Sequence, residues 1–298
     1  METRYSEHDI AVSGGTLHLG VWAAEHPTAE TTTVLAIHGV TSNHLAWRLL
    51  AEAFPEVTFL VPDLRGRGRS SALPAPYGMT QHGEDLKAIL EHFGVEKAIV
   101  AGHSMGAFVA LIFADRYPEF VESLLLIDGG LPIMVPGNLR GEELLRAVLG
   151  PVADRLAQVF TTRADYIDYW KKHPAFQEGW SDFYSDYADY DLNEVAGGFQ
   201  PSTNYEAMKY DSADLYDSDL LVNSLDNLRQ HAIFLRSPLG LFAEPPGLFS
   251  PEQIQQASER YPRFDAAEIS SVNHYTIVMS HEGVAQVSQH LQQLIDER

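Results

Sequence analysis

The stretch Ala98-Ile99-Val100-Ala101-Gly102-His103-Ser104-Met105-Gly106-Ala107-Phe108-Val109-Ala110 decides the fold. It runs from an apolar strand-type segment through Gly-x-Ser-x-Gly into an apolar helix-type segment. That order specifies a sharp strand-to-helix turn with a serine at its tip, a nucleophile elbow. The turn is cramped, so Gly102 and Gly106 are needed where neighbouring backbone leaves no room for a side chain. Ser104 then stands at a helix N-terminus, where unpaired N–H groups and the helix dipole favour a developing negative charge. Gly-x-Ser-x-Gly alone is a weak motif. Its weight here comes from the strand before it and the helix after it.

Strand-type and helix-type runs alternate on both sides of this turn, which implies a mostly parallel sheet with helices on both faces. Strands are expected at 17–22, 34–37, 58–61, 124–127, 232–235 and 267–272. Helices are expected at 45–54, at 80–93 before Gly94, from the elbow to Pro118, at 251–261 and at 281–295. From about Leu131 to Arg229 the strand pattern lapses and the sequence becomes helix-like, rich in acids and in aromatics such as Phe160, Tyr166, Tyr169, Trp170, Phe176, Trp180, Phe183, Tyr184, Tyr187 and Tyr190. The chain therefore reads as an α/β core over 1–130 and 231–298, interrupted by a helical cap over 131–230. The acids of the cap are expected to face water.

Composition narrows the function classes. At 298 residues the chain holds one large domain, or a core with a lid. A net charge of −21 argues against a nucleic-acid or anionic-membrane partner bound through a basic surface. No segment is long and apolar enough to span a bilayer, and residues 1–9 carry no signal-peptide pattern. The absence of cysteine excludes disulfides, cysteine nucleophiles and thiolate metal sites, and fits a cytoplasmic protein. No metal or organic cofactor is called for. The expected partner is a small-molecule substrate, with homo-oligomerisation left open.

A serine hydroxyl is a poor nucleophile at neutral pH and needs a base. In elbow folds that base arrives late, on a loop after the last strand. Val272-Asn273-His274-Tyr275 occupies that place, so His274 is the expected base among 13 histidines. His103 adjoins Ser104, but neighbouring elbow residues point in different directions. His281 belongs to the start of the last helix. Two backbone donors should receive the oxyanion. One is the N–H of Met105; the other is the N–H of Val40, after His38-Gly39, with His38 anchoring that loop and Gly39 permitting its turn.

These segments together resemble the α/β-hydrolase superfamily. The resemblance rests on His38-Gly39, Pro62-Asp63-Leu64-Arg65-Gly66-Arg67-Gly68-Arg69-Ser70, Gly102-His103-Ser104-Met105-Gly106, Asp128-Gly129-Gly130 and Asn273-His274-Tyr275, in the superfamily's order and spacing. It covers the core on both sides of the cap. It implies that the arginine- and glycine-rich loop 63–70 is a structural turn near the site; the loop lacks the Gly-Lys-Ser/Thr of a phosphate cradle. The third member of the expected triad departs from the usual pattern. Most relatives place an acid after the strand that follows the cap, as Gly-x-x-Asp, and here that stretch is Gly240-Leu241-Phe242-Ala243-Glu244. Asp128, at the end of the strand after the elbow helix, is the preferred acid, and Glu244 is the alternative.

The resulting reading is a serine hydrolase of a carboxylic ester or lactone, acting through an acyl-enzyme on a hydrophobic or aromatic small molecule bound near Trp170, Trp180 and Tyr187. The same triad serves carbon–carbon bond hydrolases acting on diketones, and a ligand receptor with a vestigial triad is a further alternative. Epoxide hydrolases and haloalkane dehalogenases of this fold use an aspartate nucleophile, against which Ser104 counts.

Overall fold

A computed structural model describes residues 4–133, 152, 154–177, 179–216 and 218–298. Their strands are β1 (Tyr5–Val12), β2 (Gly15–Trp22), β3 (Thr33–Ile37), β4 (Thr58–Pro62), β5 (Ala98–His103), β6 (Val121–Ile127), β7 (Leu192–Val195), β8 (Gly198–Pro201), β9 (His231–Arg236) and β10 (Phe264–Glu268). Eight form one sheet in the order β1-β2-β4-β3-β5-β6-β9-β10. β2 is antiparallel to both β1 and β4, and every pairing from β4 to β10 is parallel.

The helices are α1 (Arg48–Ala53), α2 (Met79–Phe93), α3 (Met105–Arg116), α4 (Arg163–Lys171), α5 (Asp182–Tyr190), α6 (Tyr205–Leu215), α7 (Ser218–Asp226), α8 (Pro251–Arg260), α9 (Thr276–Met279) and α10 (His281–Asp296). A strand alternates its side chains between two faces, and the central strands show this directly. Ile99 and Ala101 of β5 join a core with α1, α9 and α10, whereas Ala98 and Val100 join a second core with α2 and α3. Both faces are covered, which is why β5 is buried at every residue and reads as a continuous apolar run.

Several expectations need correction. The early strand at 17–22 has a partner, β1, which pairs with it along its whole length. The last strand is Phe264–Glu268 rather than 267–272. Beyond it Ile269 and Val272 remain buried as loop residues, with Ile269 N–H still donating to the Arg236 carbonyl at 2.9 Å, so the apolar run there reflects burial past the end of the strand. The segment between β6 and β9 carries α4 to α7, but also the hairpin β7–β8, closed at Gly197-Gly198 with φ of 90° and 150°. Strands of four residues are too short to declare a period of two. Nor do all acids there face water, since Asp191 and Asp211 are both buried. No helix of the described residues is long and apolar enough to cross a membrane.

Candidate active site

The elbow puts Ser104 between the end of β5 and the start of α3, with φ 55° and ψ −125°. This is a strained conformation for a residue with a side chain, and surrounding contacts must hold it. A Cβ added to Gly102 would lie 2.3 Å from the Gly106 carbonyl oxygen, and one added to Gly106 would lie 2.1 Å from that of Ile37. The loop after β6 closes in as well, because a Cβ on Gly129 would meet the Ser104 carbonyl oxygen at 2.1 Å. Three glycines thus let three strand ends crowd around one serine.

His274 joins Ser104 and Asp128. Its Nε2 is 3.0 Å from Ser104 Oγ, and its Nδ1 is 2.7 Å from Asp128 Oδ2. A carboxylate at Nδ1 accepts a hydrogen bond from that nitrogen's N–H and so leaves Nε2 free to take the hydroxyl proton. Asp128 is fixed by its own N–H, which donates to the Leu235 carbonyl at 2.7 Å. Its second oxygen accepts the Ser237 N–H at 3.1 Å. Both Asp128 and His274 are buried, while Ser104 keeps partial exposure. A hydroxyl, imidazole and carboxylate so arranged can pass a proton from serine to histidine and stabilise the imidazolium that forms.

Glu244 is exposed, and its backbone carbonyl closes a turn with the Gly240 N–H. No hydrogen bond joins its carboxylate to His274 among the described residues.

The loop that positions His274 is itself built. Asn273 Oδ1 accepts the N–H groups of Tyr275 and Thr276, and its Nδ2 donates to the Ala175 carbonyl at 2.9 Å. From beneath, His103 Nε2–H donates to the His274 carbonyl at 2.7 Å. Burial pushes His103 well below the ordinary histidine range, so it remains a neutral donor there. His103 was set aside as a base from sequence; its positioning contact, across 171 residues of chain, has no local signal.

The loop after β3 lies against the nucleophile, where a Cβ on Gly39 would stand 3.2 Å from Ser104 Cβ. His38 ties it down: its Nδ1 bonds the Gly39 carbonyl at 2.8 Å and its Nε2 accepts the Leu64 N–H at 3.0 Å. Burial pushes His38 down to about 3, which keeps it neutral. Met105 is the first residue of α3, so its N–H has no partner within the helix. Val40 follows Gly39, and its carbonyl accepts Arg67 Nε–H at 2.9 Å. Arg67 also pairs with the buried Asp211 of α6 and approaches Met105 Sδ at 3.9 Å. Burial alone would raise Asp211, but Arg67 and His82 outweigh it and hold the carboxylate well below its usual range. The loop 63–70 is thereby a structural brace between the Val40 turn and α6; the motif held Arg67, but its partner Asp211, 144 residues on, had no signal in the sequence.

The three expected pocket aromatics are not equivalent. Trp170 is buried against Tyr275, the neighbour of His274, at 6.2 Å between ring centroids. The Tyr187 hydroxyl donates to Ser42 Oγ at 3.0 Å, beside the Val40 turn. Trp180 meets Phe176 edge-on and Tyr184 at a tilt and donates to Ser185 Oγ, one layer further away. His18, His44 and Asp63 form the one metal-like grouping among the described residues. Asp63 already accepts from the His44 N–H and Nδ1, the Arg69 N–H and the Tyr190 hydroxyl, so it serves a hydrogen-bond network.

Comparison with known proteins agrees with this architecture. The segment 32–199 matches the family model described as alpha/beta hydrolase fold. Lipase LipV of Mycobacterium tuberculosis is 37% identical over 116 residues, 39% of this chain and 43% of that protein. A soluble epoxide hydrolase of a Corynebacterium species is 28% identical over 141 residues, 47% of this chain and 46% of that protein. The chain thus spans less than half the length of these curated relatives. Among solved structures, E-2-(acetamidomethylene)succinate hydrolase superposes with a TM-score of 0.79 at 21% identity, covering 98% of this chain and 99% of that one. A thioesterase domain from the curacin biosynthetic pathway gives 0.72 at 20% identity, over 98% and 99%. Since the family model covers more than half of the sequence and whole-chain neighbours share its architecture, this chain belongs to the alpha/beta hydrolase fold family.

Proposed function

We propose that the chain is a serine hydrolase of carboxylic esters or lactones, with Ser104 as nucleophile, His274 as general base and acid, and Asp128 as the acid that orients His274. The observation that carries this reading is the single imidazole bonded at once to Ser104 Oγ and to Asp128 Oδ2. Ser104 Oγ attacks the carbonyl carbon as its proton moves to His274 Nε2. The carbonyl electrons go to oxygen, received by the N–H groups of Val40 and Met105 and by the dipole of α3. His274 returns the proton to the leaving alkoxide, leaving an acyl-enzyme. Water, deprotonated by the same imidazole, releases the acid and restores Ser104. Epoxide opening on this fold uses an aspartate nucleophile, and position 104 is serine.

Trp170, Tyr187 and, more remotely, Trp180 would wall the substrate site, which favours an acyl group with apolar surface. Turnover of a panel of chromogenic esters and lactones by the wild-type and Ser104→Ala proteins tests the assignment. Loss of several orders of magnitude in kcat with retained fold supports it. Near-wild-type turnover in the variant removes Ser104 from the mechanism.

A further inference from the structure

Arg155 is 4% exposed, in a region lined by aromatic rings. Its guanidinium carbon stands 4.9 Å from the centroid of the Trp170 ring. Trp170 in turn touches Tyr275, and the Tyr275 and His274 rings are 5.5 Å apart. Tyr187 and Tyr275 both lie within electrostatic reach of the guanidinium, and Tyr187 bonds Ser42 beside the Val40 turn. A chain of ring contacts through Trp170 and Tyr275 thus links Arg155 to His274.

A buried arginine is costly unless it is paired and hydrogen-bonded. The two buried arginines of the 63–70 loop, Arg65 and Arg67, illustrate full pairing. Arg65 grips Asp85 side-on, with Nε to Oδ2 at 2.9 Å and Nη2 to Oδ1 at 2.7 Å. Its remaining donors go to the carbonyls of Pro74 and Ser13. Arg67 likewise has a partner at Nε, Nη1 and Nη2. Arg155 differs. Its hydrogen bonds all leave from Nη1, one to the Tyr166 hydroxyl at 2.5 Å and one to Asp191 Oδ2 at 3.4 Å. Asp191 is meanwhile held by shorter bonds from the Tyr166 and Ser202 hydroxyls. The Nε and Nη2 of Arg155 have no hydrogen-bond partner among the described residues. These two nitrogens form the side-on edge that Arg65 uses for a carboxylate.

We propose that Arg155 is the carboxylate-recognising residue of the site, so that the substrate is an ester or lactone whose acyl part carries a carboxylate received side-on by Nε and Nη2. Asp191 and Tyr166 hold the guanidinium from its Nη1 corner and leave that edge presented. The net charge of −21 does not oppose this. Exposed acids act through solvent and are screened beyond about 10 Å at ordinary ionic strength, whereas a buried guanidinium acts at contact. The inference rests on the Ser104 hydrolase reading for the position of the scissile carbonyl, but not for the binding of the carboxylate.

The test compares kcat/KM for two near-isosteric esters, the para-nitrophenyl monoester of glutaric acid and para-nitrophenyl valerate, in wild type and Arg155→Met. The wild type should prefer the anionic ester, and the anionic-to-neutral ratio should fall by at least about 10-fold in Arg155→Met, the usual worth of a charge-assisted fork. Arg155→Lys, which keeps the charge without the fork, should lose part of the preference; this arm decides the matter if Arg155→Met fails to fold. A second arm measures glutarate binding to the Ser104→Ala protein by calorimetry, with binding weakened by at least about 10-fold when Arg155→Met is added. An unchanged ratio in folded Arg155 variants, or glutarate binding indifferent to Arg155, overturns the proposal and leaves a structural ion pair. Failure of the wild type to turn over either ester counts against the Ser104 reading instead, and the binding arm still decides the role of Arg155.

Discussion

Asp128 combines three features that each depend on a different neighbour. Its backbone has φ 46°, its N–H is bonded to Leu235, and its two carboxylate oxygens divide between Ser237 and His274. Removing the negative charge while keeping the shape should therefore disturb the imidazole more than the fold. Asp128→Asn is expected to lower kcat on a simple ester by about three to four orders of magnitude. Glu244→Gln, at an exposed turn, should stay within about threefold of wild type, the scale of a surface change. Steady-state kinetics on the two proteins checks this; an active Asp128→Asn beside a crippled Glu244→Gln would transfer the role to Glu244. Sequence alone could name Ser104 and His274, because a motif and a place after the last strand point to them. It ranked Asp128 ahead of Glu244 but kept both acids, because the choice turns on which loop end the fold brings to His274. The contacts of His103 and the Arg67–Asp211 pair were illegible for the same reason: each joins residues distant in the chain.

At the scale of elements, the strand–elbow–helix unit was legible because its glycines answer to a backbone constraint rather than to packing. Gly106 has the Ile37 carbonyl oxygen 2.1 Å from where a Cβ would stand, and backbone cannot move aside as a side chain can. Gly106→Ala is expected to cost more than about 3 kcal/mol, or to prevent folding. Gly94 ends α2 at φ 63° with nothing within 4 Å of an added Cβ, so Gly94→Ala should cost only about 1–2 kcal/mol, the price of a left-handed backbone. Denaturant unfolding of the two variants separates the cases, and equal losses would contradict the steric account. The elements misread from sequence were those whose patterns are short or shared. β7 and β8 have four residues each, and the buried loop positions Ile269 and Val272 look like strand positions in an apolar run.

Across the whole molecule, buried ionisable groups tie stability to pH. Burial holds His38 at about 3 and His103 well below the ordinary histidine value. His173 and His290 are also lowered, chiefly by burial. A group whose folded pKa is depressed keeps its full contribution above the unfolded value, near 6.5 for histidine, and loses it as pH falls toward the folded value. His38 and His103 should then each subtract up to about 1.4 kcal/mol per pH unit below about 6.5. The urea midpoint should fall between pH 7.5 and pH 5, with proton uptake on unfolding; a flat midpoint would contradict the buried neutral state of these imidazoles. The same enclosure that keeps His38 and His103 neutral fixes the loops beside Ser104, so the fold and the site stand or fall together. Reaction with a fluorophosphonate followed by intact-mass and peptide mapping probes that claim at its centre. One adduct on Ser104, absent from folded Ser104→Ala and formed far more slowly by Asp128→Asn, is the predicted result; a folded wild-type protein that stays unlabelled, or is labelled elsewhere, would contradict it.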